Sequence, residues 1–306
     1  MSEDRAQKTE EVGRIALAYG VMIFTMIIWA SSFAGIRYVL REISPMALTV
    51  TRLGIASVFL FGVALVLRVP IPRREDWWRL LWCALLGFSI YHFLLNAGAA
   101  HITAGQASFI VATIPIWTTL LAGRFLKETI TGRTWLGLAI GLGGVGYMSL
   151  EPGDASVSWG SFLVLLCAVC AAGNMTLTKD LLGRYRAIDI SIYATVIGSL
   201  PLLLHLPWTF LEVREMSITA WWVTIYLAVI PIGLGYWLSS IALSILPASR
   251  ASQMLLLVPP IAAVIAWFFI GEVPSTRLFV GGPLIVAGVL VGAVRGRRRP
   301  RYRPPS

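Results

Sequence analysis

Ala104-Gly105-Gln106-Ala107-Ser108 recurs as Ala248-Ser249-Arg250-Ala251-Ser252, 144 residues further along the chain. In the same register, without a gap, Pro115 falls on Pro259, Glu128 on Glu272, Gly137 on Gly281 and Gly144 on Gly288. The step from proline to glutamate is 13 residues in both copies. One such match arises by chance, but several in one register mark an internal duplication.

What is duplicated is a set of membrane spans. The 306 residues are 57% hydrophobic and 13% charged, with a mean hydropathy of +0.78, well beyond a water-soluble domain. A bilayer core asks for roughly 20 apolar residues per helix. Ten runs approach that length, centred near Ile27, Val58, Gly87, Ile114, Leu142, Val169, Gly198, Ile230, Val264 and Val289. Turn chemistry separates them at Ser44-Pro45, Val69-Pro70-Ile71-Pro72, Glu151-Pro152-Gly153-Asp154, Leu246-Pro247 and Val273-Pro274. The first run, from about Ile15 to Leu40, is too long for a secretory signal core and reads as a retained helix.

The net charge of +10 does not point to nucleic acid, because the basic residues sit in short connections and a tail with no aromatic platform between them. They set direction instead. With the N-terminus inside, 20 of the 25 Lys and Arg lie on the inner side and 4 on the outer, with Arg52 inside the second span. That bias puts both termini in the cytoplasm, in a cell membrane such as the bacterial inner membrane. The run Arg295 to Arg301 reads as an anchor on anionic lipid, with a regulatory role as the alternative.

Five spans per copy is an odd number, so the second copy enters the membrane from the opposite side. The expected fold is an all-α integral membrane protein with ten transmembrane helices as two five-helix inverted repeats. The repeats take residues 15–150 and 151–294, between a cytoplasmic tail at 1–14 and a basic cytoplasmic tail at 295–306. Inverted repeats let two similar halves exchange packings and open a midplane site to each side in turn. A transporter is the function this symmetry predicts.

Trp29-Ala30-Ser31-Ser32-Phe33 followed by Arg37, Arg52 downstream of Ser44-Pro45, and the duplicated proline-glutamate scheme resemble the drug/metabolite transporter superfamily, specifically its EamA-type ten-helix exporters. The likeness covers nearly the whole chain. It implies a central cavity lined by helices one, three, four, six, eight and nine. Helices five and ten would lie at the periphery, supporting packing or dimer contacts in a monomer or homodimer. A similarity to YddG-type amino acid exporters implies amino acids as the small-molecule substrate, with organic cations or drugs and nucleotide-sugar-like metabolites as alternatives.

Polar side chains in mid-membrane face a cavity or another helix. Thr25, Trp29 and Ser32 share one face of the first helix through spacings of four and three; for the serines, a small-residue packing seam competes. His92 and Asn96 stack four residues apart beside Tyr91, and the repeat register sets Tyr236 and Ser240 at matching depth in the eighth helix. Asn174 falls near the counterpart of Ser32. The candidate substrate-binding residues are therefore Trp29, Ser32, Tyr91, His92, Asn96, Asn174, Tyr236 and Ser240, with Met175 and Met254 as apolar contacts.

Pro115 and the pair Pro259-Pro260 interrupt backbone bonding in mid-helix, as gates or as fixed kinks. Glu128 and Glu272 lie between paired helices, where capping the next helix start is favoured over ion coupling. Arg37 and Arg52 read as residues near the outer surface that snorkel, which leaves no mid-span cation for a phosphate. The Gly137-x-x-x-Gly141 and Gly288-x-x-x-Gly292 spacings permit close helix approach, within the molecule or across a dimer.

Enzyme classes find little support. The sequence has no H-E-x-x-H, G-x-S-x-G or Walker lysine motif, so no catalytic residue, metal or cofactor is expected. Cys83, Cys167 and Cys170 lie in apolar runs, and Cys167 and Cys170, a C-x-x-C on a greasy helix with no nearby basic residue, read as packing residues. No Asp or Glu falls in mid-span, so export either follows the solute gradient or is coupled through His92.

Overall fold

The computed structural model describes residues 2–102, 104–149, 159–270 and 278–293. Among these, eight helices are long and apolar enough to cross a membrane. They are α1 (Thr9–Val39), α2 (Pro45–Leu67), α3 (Arg74–Ala99), α4 (Ala107–Phe125), α6 (Trp159–Leu181), α7 (Ala187–Val213), α8 (Ile218–Ile245) and α9 (Ala248–Ile265). Two further apolar helices, α5 (Gly132–Ser149) and α10 (Leu278–Ala293), complete the ten. Glu272 and the basic tail at 295–306 lie outside the described residues.

The outer surface is greasy in a way no water-soluble protein tolerates: Val58, Phe61, Leu204, Phe268 and Phe279 are exposed. Facing lipid, these side chains are at home, and the backbone polar groups behind them are satisfied within the helices. Trp78, Trp159, Trp208 and Trp222 stand exposed towards helix ends, where amphipathic indoles settle at the membrane interface. The chain is a multi-pass membrane protein.

The helix contacts carry the inverted symmetry. α1 packs on α8 and α9, and α6 packs on α3 and α4. Shifting every helix by one repeat exchanges these two sets, while the pairs α2–α7 and α5–α10 map onto themselves. The glycine spacings explain the last pair. A Cβ on Gly137 would lie 2.6 Å from the Gly288 carbonyl oxygen, and one on Gly288 would lie 2.5 Å from the Gly141 nitrogen. The small-residue seam therefore joins the two repeats within the molecule.

Helix irregularities repeat as well. α3 has a π-helical turn at Leu85–Ser89 and α8 has one at Ala228–Leu234, at positions that coincide in the 144-residue register. In α8 the cause is visible in the sequence, since Pro231 lacks the N–H its turn would use. α4 breaks after Val111 and resumes at Ile114, with Thr113 N–H donating to the Ile110 carbonyl at 3.0 Å. α9 tightens into a 3₁₀ turn at Met254–Leu257, the exact counterpart of 110–113. Each break lies just before the proline, whose missing N–H frees a carbonyl one turn earlier. The kinks expected at Pro115 and Pro259-Pro260 are thus displaced one turn towards the helix start.

Carboxylates tie both ends of the bundle. Glu128 accepts from Ala248 N–H at 2.7 Å, Ser249 N–H at 3.2 Å and Ser249 Oγ at 2.6 Å. It therefore caps α9 in the other repeat, where the sequence suggested the next helix; α5 begins without it because the chain folds Glu128 inward across the repeat boundary. At one face Glu212 accepts from Ser44 N–H and Oγ at 2.6 and 2.9 Å, while Glu42 accepts from Ser217 N–H and Oγ, both at 2.8 Å. At the other face the buried Asp76 accepts from Arg79 at 3.2 Å, from Tyr185 Oη at 2.8 Å and from Arg184.

Candidate functional site

Between the repeats lies an open cavity. Its walls obey the duplication: Val111 and Ile114 of α4 face Leu255 and Val258 of α9, their positions 144 residues apart. Gly87, His92 and Leu95 of α3 likewise match Pro231, Tyr236 and Ser239 of α8. α1 contributes Trp29, Ser32, Phe33 and Ile36, and α6 contributes Ala171, Asn174, Met175 and Thr178. A midplane cavity at a repeat interface, with broken helices around it, is where transporters hold solute.

The π-helical turns meet the cavity, and side chains from the opposite repeat close them. Trp29 donates Nε1–H to the Pro231 carbonyl at 3.1 Å. Asn174 donates Nδ2–H to the Cys83 carbonyl at 2.9 Å, just ahead of the π segment in α3. Tyr236 donates its hydroxyl to the Gly87 carbonyl at 3.1 Å. Glycine permits two of these approaches: a Cβ on Gly87 would meet Asn174 Nδ2 at 2.1 Å, and one on Gly235 would meet Trp29 Nε1 at 2.7 Å. Irregular backbone at membrane depth survives only where such partners satisfy it.

Of the eight residues singled out in the sequence, Trp29, Ser32, Tyr91, His92, Asn174, Tyr236 and Ser240 line the cavity. Asn96 does not. It is fully buried between α3 and α2, donating Nδ2–H to Thr49 Oγ1 at 2.9 Å, because it sits one turn further along α3, where that helix packs on α2. Ser32 bonds back to its own helix at the Ile28 carbonyl, at 3.3 Å. Ser240 stands 3.4 Å from Ser191 of α7. His92 has neither ring nitrogen hydrogen-bonded, and its ring lies edge-on to Tyr91 with centroids 4.9 Å apart. Met175 lines the cavity, while Met254 is buried in the core beside it.

The largest correction concerns Arg52. Read from hydropathy as a snorkelling residue near the surface, it is 2% exposed and lines the cavity. It follows Pro45 by seven residues, which at 1.5 Å rise sets it roughly 10 Å into the membrane, on the face of α2 that turns inward. Among the described residues lining the cavity it is the sole one from α2 and the sole charged one. A mid-span cation therefore exists. The signal in the sequence was its being the one Lys or Arg that fell inside a span; hydropathy gives depth but not the facing direction. Arg37, by contrast, is exposed at the end of α1.

The comparisons with known proteins agree with this architecture. The chain matches the profile of the EamA-like transporter family twice, over residues 16–150 and 158–293. It is 34% identical over 293 residues to a probable terminal-alkyne amino-acid exporter of Streptantibioticus cattleyicolor, covering 95% of this chain and 99% of that protein. It is 32% identical to the uncharacterized transporter YdfC of Bacillus subtilis, covering 90% of each. A likeness of 27% to the S-adenosylmethionine/S-adenosylhomocysteine transporter of Chlamydia trachomatis covers 62% of this chain and 61% of that one. A solved crystal structure superimposes with a TM-score of 0.71 at 17% identity, covering 89% of this chain and 95% of that one, and so shares the fold.

Proposed function

We propose that this chain, which belongs to the EamA-like transporter family, exports small metabolites, foremost amino acids, by alternating access through its central cavity. The observation that carries the reading is the cavity itself: it sits between two inverted halves, and broken helices from both repeats line it symmetrically. Two packings of similar energy follow from such symmetry, each the mirror of the other with respect to the membrane. The positive-inside bias supports both termini on the cytoplasmic side of a bacterial inner membrane. In this orientation α1–α2 and α7–α8 turn outside, and the Glu42–Ser217 and Glu212–Ser44 contacts form the outer closure.

The lining supports a small zwitterion. Apolar walls from Phe33, Ile36, Leu95 and Val111 suit a side chain, and Trp29 and Tyr236, with ring centroids 5.4 Å apart, suit an ammonium group. Two relatives bear names of solutes with an amino acid head group, a terminal-alkyne amino acid and S-adenosylmethionine. A panel of radiolabelled solutes in proteoliposomes tests the reading. Mutual competition among several amino acids, with organic cations and phosphorylated sugars inert, is expected; transport of the latter groups without amino acids overturns it.

A further inference from the structure

Arg52 is buried, charged and unpaired. Its Nε and Nη1 have no hydrogen-bond partner. No Asp or Glu lies among the described residues lining the cavity, and every ion pair found among the described residues involves other arginines. Its electrostatic neighbours are Tyr91, Tyr236 and His92, none of them anionic at neutral pH. A guanidinium taken out of water without a counter-charge is a large destabilising element, and proteins keep one where function requires it.

Guanidinium presents a planar fork of donors that matches a carboxylate with two parallel hydrogen bonds. Among its described residues the cavity holds one fixed positive charge, so one singly charged carboxylate neutralises it. A phosphate dianion would leave a net negative charge in a low-dielectric space, with no second Lys or Arg among the lining residues to balance it. An ammonium finds no carboxylate there, only hydroxyls, carbonyls and the faces of Trp29 and Tyr236. From this asymmetry we infer that Arg52 holds the carboxylate of the transported solute, and that a single carboxylate is the required feature of the cargo while an ammonium group is dispensable. The inference rests on the export reading only in treating the bound molecule as cargo.

The experiment uses purified full-length protein in detergent, with the melting temperature as readout, and five probes: L-leucine, 4-methylpentanoate, leucinamide, isoamylamine and inorganic phosphate. Leucine and 4-methylpentanoate are expected to raise the melting temperature of the wild type in a saturable manner, and the other three are not. Arg52→Gln is expected to remove that response and to melt higher than the wild type without ligand, since it deletes an unpaired buried charge. Arg52→Lys keeps the charge without the fork and should bind about tenfold to a hundredfold more weakly.

Stabilisation by phosphate alone, an equal response to leucinamide and leucine, or no response to either carboxylate overturns the inference. So does an Arg52→Gln protein that melts lower than the wild type, the mark of a structural arginine. Leucine counterflow in proteoliposomes separates this from the export reading. Wild-type flux with unchanged half-saturation in Arg52→Gln sinks the carboxylate site and leaves export standing; carboxylate binding without flux of any solute does the reverse.

Discussion

Trp29 of the first repeat donates its indole N–H to the Pro231 carbonyl in the π-helical turn of the second, 202 residues away. Asn174 of the second repeat reaches the Cys83 carbonyl beside the matching turn of the first. Each repeat thus pins the irregular backbone of the other at the cavity wall. Trp29→Phe keeps the ring and loses the donor, leaving a buried carbonyl unsatisfied at a cost of about 1–3 kcal/mol. The expected outcome is a lower melting temperature in detergent and a transport rate reduced several-fold. An unchanged melting temperature would mean that the pin contributes nothing to this state.

The reciprocal contacts of Glu42 with Ser217 and Glu212 with Ser44 hold two turns together at one face. Replacing both acids with Gln weakens four charge-assisted hydrogen bonds and should favour the conformation open at that face. In a background with Cys83, Cys167 and Cys170 replaced by Ala, Ser32→Cys reports on the cavity. Its labelling by a membrane-impermeant maleimide from that face is expected to accelerate several-fold in the double Gln variant. Equal labelling rates would show that the contacts do not close the cavity.

Asp76 is fully buried and gathers Arg79 of its own helix with Arg184 and Tyr185 of the α6–α7 connection at the opposite face. Arg79 and Arg184 are partly exposed, so water screens their loss of a partner. Asp76→Asn should cost about 2 kcal/mol, and Tyr185→Phe about 1 kcal/mol through one hydrogen bond. Thermal melting in detergent checks both, and the effect of the pair should fall short of their sum because the two groups share one network.

The α5–α10 seam separates glycines that are needed from those that are not. Gly288→Val places a branched side chain where a Cβ alone already meets the Gly141 nitrogen at 2.5 Å, and should abolish recovery of monodisperse protein. Gly143 lies on the same helix with nothing within 4 Å of its Cβ position. Gly143→Ala should fold normally and gain about 0.5–1 kcal/mol from helix propensity. Size-exclusion profiles of the two variants test the contrast.

The duplication was legible because it rests on residues that keep their spacing when other side chains drift: prolines, glycines and the two glutamates. Hydropathy located α1 to α10 because lipid selects composition over some 20 residues at a time. Facing direction was legible only in part. Trp29, His92 and Tyr236, singled out from helical spacing and the repeat register, do reach the cavity wall, whereas Asn96 turns into a helix contact and Arg52 into the cavity. Their neighbours in space come from helices 39 to 184 residues away in the chain, and no local pattern records them. The π-helical turn in α3 had no sequence signal of its own; only its register with Pro231 points to it.

Counterflow in proteoliposomes bears most directly on the claim that the symmetric cavity carries solute across the membrane. Vesicles loaded with unlabelled amino acid should take up labelled amino acid transiently above equilibrium, and Ser240→Trp, which fills the cavity between α8 and α6, should abolish that overshoot while the protein remains folded. Uptake by the filled variant at the wild-type rate, or no counterflow of any small solute by the wild type, would contradict it.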